Sequence, residues 1–503
     1  MQGDLLVRGA RIHTFDAARR VLDPGDILVR AGRITAIAPE LELPAGMPVL
    51  DAQGHLAIPG LINAHLHSPG NLLKGTVPGL PLELFMLREV PPLAADVPGA
   101  RLAYVRTLLG AIEMLKTGVT AVMDDAFHVP VATVEGVDAI CAAYRDIGMR
   151  ARVAIDQPER VEYTKYPFLE SLLPPELKAE MEAAPRQDAD ALLALYDHLI
   201  RTWDGAGNGR IGAALSCSAV QRVTPHYLRR LASLSRDRRL PFNVHILETK
   251  LQRVLGEENY AGRSLVQVAA AEGALSPHTV VIHAIWVDDA DMRLLADSGA
   301  TVVHNPVCNM RLGSGVMPLR SLRRAGVAIA LGTDEAIADD SINLWGAIKQ
   351  AGLVHTLSDP DWAAWPDAPE ILELVYAGGA RALGFDVPLG RLEVGAAGDI
   401  TLLDLDTAAF TPLNDVERQL VFAETGSAVR HVVVDGNLVV REGRVATLDE
   451  RAIRAEARAL AAAARGDIAD AEAAACRIEP FYQAMVRAAH ARDVGMRRRL
   501  DPP

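Results

Sequence analysis

The sequence predicts an α/β chain: a (β/α)8 TIM barrel with a small β-sandwich domain built from both chain ends. Three observations predict it. Short β-branched or apolar runs alternate with longer helical stretches through the middle of the chain, and there are eight such runs. Turn-punctuated strands open the chain and return near its end. Residues capable of chemistry close most of the central runs, at the strand ends where a barrel keeps its active site.

In chain order, the opening strands are "DLLVRGARIHTF", "GDILVRAGRITAIAP" and "MPVLDAQGHLAIPG". Their style returns in "GDITLLDLD" and "VRHVVVDGNLVVREGRV", so the sandwich is expected over 1–57 and 386–446. The barrel is expected over 58–385. Its runs are "AIPGLINAHLH", "GVTAVMDD", "MRARVAID", "RIGAALSCS", "LPFNVHILE", "HTVVIHA", "ATVVHNP" and "GVAIALGTD". Stretches such as "ARLAYVRTLLGAIEMLKTG" and "DADMRLLADSG" read as the intervening helices. The Ala-rich tail, 447–503, reads as surface helices that pack on the barrel or at a subunit interface.

Bulk properties agree. A chain of 503 residues is too long for one simple core and calls for a large domain with a smaller one appended. A net charge of −13 offers no basic face to nucleic acid. No apolar run approaches the ~18 residues of a membrane span. The opening "MQGDLLVRGARIHTFD" lacks the basic and apolar regions of a signal peptide. Cys141, Cys217, Cys308 and Cys476 are scattered without a CxxC, as expected for free thiols in the cytoplasm.

Run one ends in His65 and His67, run two in Asp124 and Asp125, run four in Cys217 and Ser218. Run five ends in His245 and Glu248, run six in His283, run seven in His304 and Asn305, run eight in Asp334. Residues i and i+2 of a strand share a side, so His65 and His67 can reach one metal ion. Alone, an HxH is as easily a surface strand. With His245 and Asp334 at other strand ends, three imidazoles and a carboxylate make a plausible divalent-metal site. A metal lowers the pKa of bound water to about 7, and the reaction then needs a proton shuttle. Glu248, three residues past His245, suits that role; the alternative is a Glu favoured by a helix N-terminus. His283 fits a role in polarising water or substrate. His304 is explained equally well by helix entry or hydrogen bonding behind the site. Run four has no Lys to bridge two metals, which favours a single metal per chain.

The motifs "PGLINAHLH", "HILE", "VIHA", "VVHNPVCNMRLGSG" and "LGTD", in this order, carry a resemblance. The sequence resembles the amidohydrolase superfamily, in particular the branch of S-adenosylhomocysteine/methylthioadenosine deaminases, cytosine and guanine deaminases, and triazine hydrolases. The resemblance covers roughly residues 1–445. It implies that His65, His67, His245 and Asp334 bind the metal, usually zinc and sometimes iron. It implies that Glu248 is the proton shuttle, that His283 orients water and substrate, and that Asp334 accepts a proton from the water.

The chain also departs from the branch. Where a "PHAPY"-like stretch is expected it reads "CSAVQR", with Ser218 in place of His and Gln221 in place of an aromatic. After "GTD" come Glu335, Asp339 and Asp340. Carboxylates at the rim would favour an amino-rich substrate; a solvated loop explains them equally. Ser218, Gln221, His304, Asn305 and Glu335 are the candidate substrate contacts.

The expected reaction is hydrolysis at a ring carbon of a nitrogen-rich heterocycle, releasing ammonia. Alternatives at the same site are loss of chloride, alkylamine or thiomethyl from an s-triazine, and amide hydrolysis. A non-enzymatic scaffold is disfavoured, because all four ligands and the Glu are present. A small-molecule partner and a homo-oligomer are expected.

Overall fold

The computed structural model describes residues 3–499; residues 1–2 and the last four of the predicted tail lie outside the described residues. The chain opens with β1 (Leu5–His13), β2 (Val21–Arg30), β3 (Arg33–Ala38), β4 (Val49–Asp51) and β5 (His55–Pro59). Next come β6 (Leu61–Leu66), β7 (Val119–Phe127), β8 (Arg150–Asp156) and β9 (Ile211–Ala213), a four-stranded parallel sheet in that order. A second parallel sheet holds β10 (Leu215–Ala219), β11 (Phe242–Ile246), β12 (Thr279–His283), β13 (Thr301–His304) and β14 (Ala328–Leu331).

The two sheets meet within one predicted run. "RIGAALSCS" is broken at Ala214 into β9 and β10. The Ala214 N–H donates to Val153 O at 2.9 Å, and the Leu215 N–H to Pro241 O at 2.8 Å, so the run bonds to one neighbour before the break and to the other after it. At the far edge, the Asp334 N–H donates to His65 O at 3.1 Å, bringing the end of β14 to β6.

Alternation along the strands sorts the core. Ile62, Ala64, Ala121, Met123, Ala214, Ile282, Val303 and Ala330 form one buried cluster. Their strand neighbours Leu61, Val122, Val281, Val302 and Leu331 belong to a second, packed with the helices. The helices end where the sequence signals it. Asp288 makes a capping box with Asp291 ahead of Asp289–Ser298, and Gly299 closes that helix at φ 70°.

The chain then returns to the first strands with β15 (Ile400–Asp404), β16 (Val429–Val434), β17 (Asn437–Arg441) and β18 (Arg444–Val445). As expected, strands from both ends join. They do so in one nine-stranded hydrogen-bonded path, β18-β17-β16-β15-β5-β1-β2-β3, with β4 on β1.

The tail forms helices Glu450–Ala463 and Arg465–His490. The first lies on helix Ala100–Lys116, where Arg101 pairs with Glu456 at 2.6 Å. The second buries Ile478, Tyr482, Met485 and Ala489 against Leu84, Tyr166, Leu251 and Val254, which surround the carboxyl ends of the strands. No helix among the described residues is long and apolar enough to cross a membrane.

Candidate active site

β6 carries His65, His67 follows one residue past the strand's end, and β11 brings His245 to them. Their Nε2 atoms converge: His67 lies 3.2 Å from His245, and His245 lies 3.3 Å from His65. The Nδ1 atoms of two rings are tied to the backbone, His67 to the Asp125 carbonyl and His245 to the Ser218 carbonyl at 2.7 Å. Those bonds hold a proton on Nδ1 and leave the Nε2 lone pairs aimed at one another. Buried lone pairs in contact repel unless a proton or a metal cation lies between them, and three converging imidazole nitrogens are a donor set that fits a divalent metal. Asp334 Oδ1 stands 3.6 Å from His65 Nε2 and 3.7 Å from His67 Nε2.

Local bonding puts Asp334 there. The Asn63 amide donates to Thr333 Oγ1 at 2.8 Å, and Asn63 Oδ1 accepts from the Thr333 N–H at 3.1 Å. A glycine is needed at 332, because a Cβ would stand 2.5 Å from Asn305 Oδ1 and 3.0 Å from the His65 backbone. The strand ends are strained as a group. Ser218 (φ 61°), Leu247 (φ 52°), His283 (φ 76°) and Asp334 (φ 64°) all occupy the left-handed region. Each costs about 1–3 kcal/mol and persists only where its surroundings over-determine it, which is characteristic of functional sites.

Glu248 and His283 adjoin this centre. His283 Nε2 lies 3.3 Å from Glu248 Oε2 and 3.7 Å from Asp334 Oδ2. The Asn309 amide donates to His283 Nδ1 at 2.9 Å, leaving Nε2–H as a donor toward the carboxylates or a substrate. The Ser314 hydroxyl donates to Glu248 Oε1 at 3.1 Å. Burial, then the charges of Asp334 and Glu83, push the Glu248 carboxyl well above the usual range. Burial, then the charge on His67, lowers His245 to about 3. At His67 burial also acts downward, but Asp334, Asp156, Asp125 and Glu89 outweigh it and raise the imidazole to about 9. The same negative field would attract a divalent cation.

A cavity of about 60 Å³ opens onto these groups, bounded by His67, Ser218, His245, Glu248, His283, Asp334 and Glu335. A larger cleft, about 980 Å³, lies at the amino ends of the strands and holds none of the converging histidines. Of the other predicted contacts, Gln221, His304 and Asn305 do not line the small cavity. The His304 ring turns to His355 (Nε2 to Nε2, 3.1 Å), and the Asn305 amide reaches His283 Nδ1 at 3.5 Å. Asp124 accepts from Tyr144 at 2.9 Å and from the Ser68 N–H at 3.0 Å.

Sequence reasoning missed several charged lining residues, among them Glu89, Asp156, Glu162, Lys165 and Arg222. Asp156 closes run three and could have been found by the strand-end rule. Glu89, Glu162 and Arg222 carry no local signal. Glu89 and Glu335 face each other in hydrogen-bond contact, while Glu89 Oε1 and Glu335 Oε2 are buried without a partner.

The fold and the histidine–carboxylate centre define a metal-dependent hydrolase. The amidohydrolase family model matches residues 56–439, and the chain belongs to that family. It is 34% identical over 432 residues to a 5-methylthioadenosine/S-adenosylhomocysteine deaminase of Halobacterium salinarum, covering 85% of this chain and 91% of the relative. A Xanthomonas campestris adenosine deaminase structure with bound zinc superposes with a TM-score of 0.80 at 26% identity, covering 93% and 99% of the two chains. An Arthrobacter aurescens atrazine chlorohydrolase complexed with zinc superposes with a TM-score of 0.78 at 25% identity, covering 91% and 100%.

Proposed function

We propose that this chain is a single-metal deaminase of an amino-bearing nitrogen heterocycle. In this reading His65, His67, His245 and Asp334 hold the metal, zinc or iron, Glu248 carries the proton, and His283 orients the reacting groups. The chain is a metal-dependent hydrolase of the deaminase type, acting on a carbon–nitrogen bond of a heterocycle. The observation that carries the residue roles is the contact chain from the histidine cluster through Asp334 and His283 to Glu248.

The metal, when bound, makes a water molecule acidic near neutral pH. Asp334 and His283 orient that water against the ring carbon. Glu248 takes a proton from it and delivers the proton to the exocyclic amino group. The amino group leaves as ammonia, the ring carbon keeps the water oxygen as a carbonyl, and the water's second proton passes to the adjacent ring nitrogen. Water enters and ammonia leaves, so the atoms balance.

A single metal is supported by the one converging Nε2 set. The second possible group, Asp125, Asp156 and His245, draws on a His245 Nδ1 already bonded to Ser218 O. The Glu89–Glu335 carboxyls favour a substrate edge rich in N–H donors. Ser218, whose hydroxyl accepts from Arg222 at 3.0 Å, forms the opposite wall in this reading. A nucleoside exceeds the ~60 Å³ cavity, since ligand sites run to about 300–1,000 Å³, so substrate entry requires the wall to move.

We further read the two parallel sheets as arcs of one eight-stranded barrel over 58–385. The nine-stranded sheet is then a sandwich domain of 1–57 and 386–446, and 447–503 the tail. Exposed Leu357 and Trp362, both 76% accessible, suit a homo-oligomer contact. The four free cysteines suit the cytoplasm.

The test is a substrate screen with ammonia detection: 5-methylthioadenosine, adenosine, aminopyrimidines and amino-s-triazines. Ammonia release from at least one supports the reading. Chloride release from chloro-s-triazines with no ammonia from any amine would favour the second reading, for which the chlorohydrolase likeness is the support.

A further inference from the structure

We infer that the C-terminal segment 465–499, beyond the end of the family match at residue 439, is part of the catalytic apparatus: Arg498 positions the Ser314 loop that holds Glu248, and Tyr482 positions the pocket wall. The inference rests on the proposed role of Glu248.

The segment touches the pocket-forming loops one after another. Arg498 donates from Nε to Ile285 O and from Nη2 to Val287 O, both at 2.8 Å, in the loop that follows His283. Its own carbonyl accepts from the Val316 N–H at 2.7 Å. Gly315 must be glycine there, because a Cβ would meet Arg498 O at 2.8 Å and φ is 129°. The neighbouring Arg499 donates to Gly313 O at 3.1 Å. Between these anchors lies Ser314. Its carbonyl accepts from the Trp286 indole at 2.8 Å, and its hydroxyl donates to Glu248. One half-buried arginine thus ties together the loop after His283 and the loop that orients Glu248.

The second arm runs through the helix. The Tyr482 hydroxyl, fully buried, donates to Glu162 Oε1 at 3.0 Å. Glu162 Oε2 pairs with Lys165 Nζ at 2.6 Å, and both residues line the cavity. The same helix receives Arg88, next to Glu89, on Glu479 at 2.8 Å, and Lys250, two residues past Glu248, on the His490 carbonyl at 2.8 Å. Five residues of one segment, Glu479, Tyr482, His490, Arg498 and Arg499, thus bond to loops and helices that carry or adjoin the cavity's lining. The tail braces the wall of the site from behind.

The experiment uses the full chain loaded with zinc, with amide exchange and steady-state kinetics read together. Arg498→Ala is expected to speed exchange over residues 313–317 while the barrel strands and metal content hold. It should lower kcat roughly tenfold at nearly constant KM, as mispositioning without lost binding does. Arg498→Lys should recover part of the loss. Ser314→Ala should lower kcat similarly, and the double variant should fall no further, because both act through one hydrogen bond. Tyr482→Phe keeps the packing and should raise KM several-fold with kcat little changed. Unchanged exchange over 313–317, or losses that multiply in the double variant, would overturn the Arg498 arm. A wild-type KM in Tyr482→Phe would overturn the other. Loosened exchange in a protein that hydrolyses none of the screened compounds would support the clamp and count against the proposed function instead.

Discussion

On the proposed function, replacing Glu248 with Gln removes the proton carrier and almost nothing else. The side chain is buried, with Oε1 accepting from Ser314 at 3.1 Å and Oε2 lying 3.3 Å from His283 Nε2. Glutamine has the same shape and can keep both contacts, so positions change little. The amide cannot take a proton from water or return it to a leaving amine. General acid–base catalysis by a placed side chain is worth about 10²–10⁴-fold, or roughly 3–5 kcal/mol of barrier. Stability should not suffer. Burial and the Asp334 charge hold the Glu248 carboxyl well above its ordinary range, so its ionised form is costly and an amide relieves that cost. The assay compares metal content by mass spectrometry, melting temperature, and ammonia release on a substrate of the wild type. The expected outcome is equal metal, an equal or higher melting temperature, and turnover lower by at least a hundredfold. Turnover within a few-fold of wild type at equal metal content would refute the proton-carrier role.

Other changes separate the roles of neighbouring groups. His245→Ala deletes one of three converging nitrogens and should leave metal content well below one per chain after dialysis, as measured by mass spectrometry. Glu335→Gln should preserve metal content but shift kcat/KM among amino-substituted heterocycles by about tenfold, an effect read by competition assays. The buried His355, lowered to about 4 by burial and then by Arg320, makes stability fall in acid. Unfolded histidine titrates near 6.5, so the unfolded chain binds more protons than the folded one below that pH. Stability is full above pH ~6.5 and is lost as pH falls toward about 4, by about 2 kcal/mol at pH 5. His355→Gln should flatten the drop in melting temperature between pH 7 and pH 5.

Much of the centre was legible because a strand end is a local feature. The runs that supply His65, His67, His245, His283 and Asp334 end within three residues of the ends of β6, β11, β12 and β14. The strand-end rule does not say which way a side chain turns: the His304 ring meets His355, and Asp124 accepts from Tyr144 on the helix Val134–Ile147. The break at Ala214 was invisible, since "RIGAALSCS" reads as one continuous apolar run and only the change of bonding partner divides it. Glu89, Arg222 and the Arg498–Val316 hydrogen bond depend on how distant loops meet in space, which no local spacing encodes. The tail was read as a surface feature because its Ala-rich pattern reports an amphipathic helix and not what that helix covers.

The central claim is hydrolytic deamination that depends on a metal held by the histidine–aspartate centre. The direct measurement is ammonia release, on an active substrate from the screen, by chelator-treated protein before and after titration with zinc. Release from the stripped protein should be negligible, with activity rising linearly with added zinc and levelling off at about one equivalent per chain. Undiminished ammonia release from protein shown to be stripped of metal would contradict that claim.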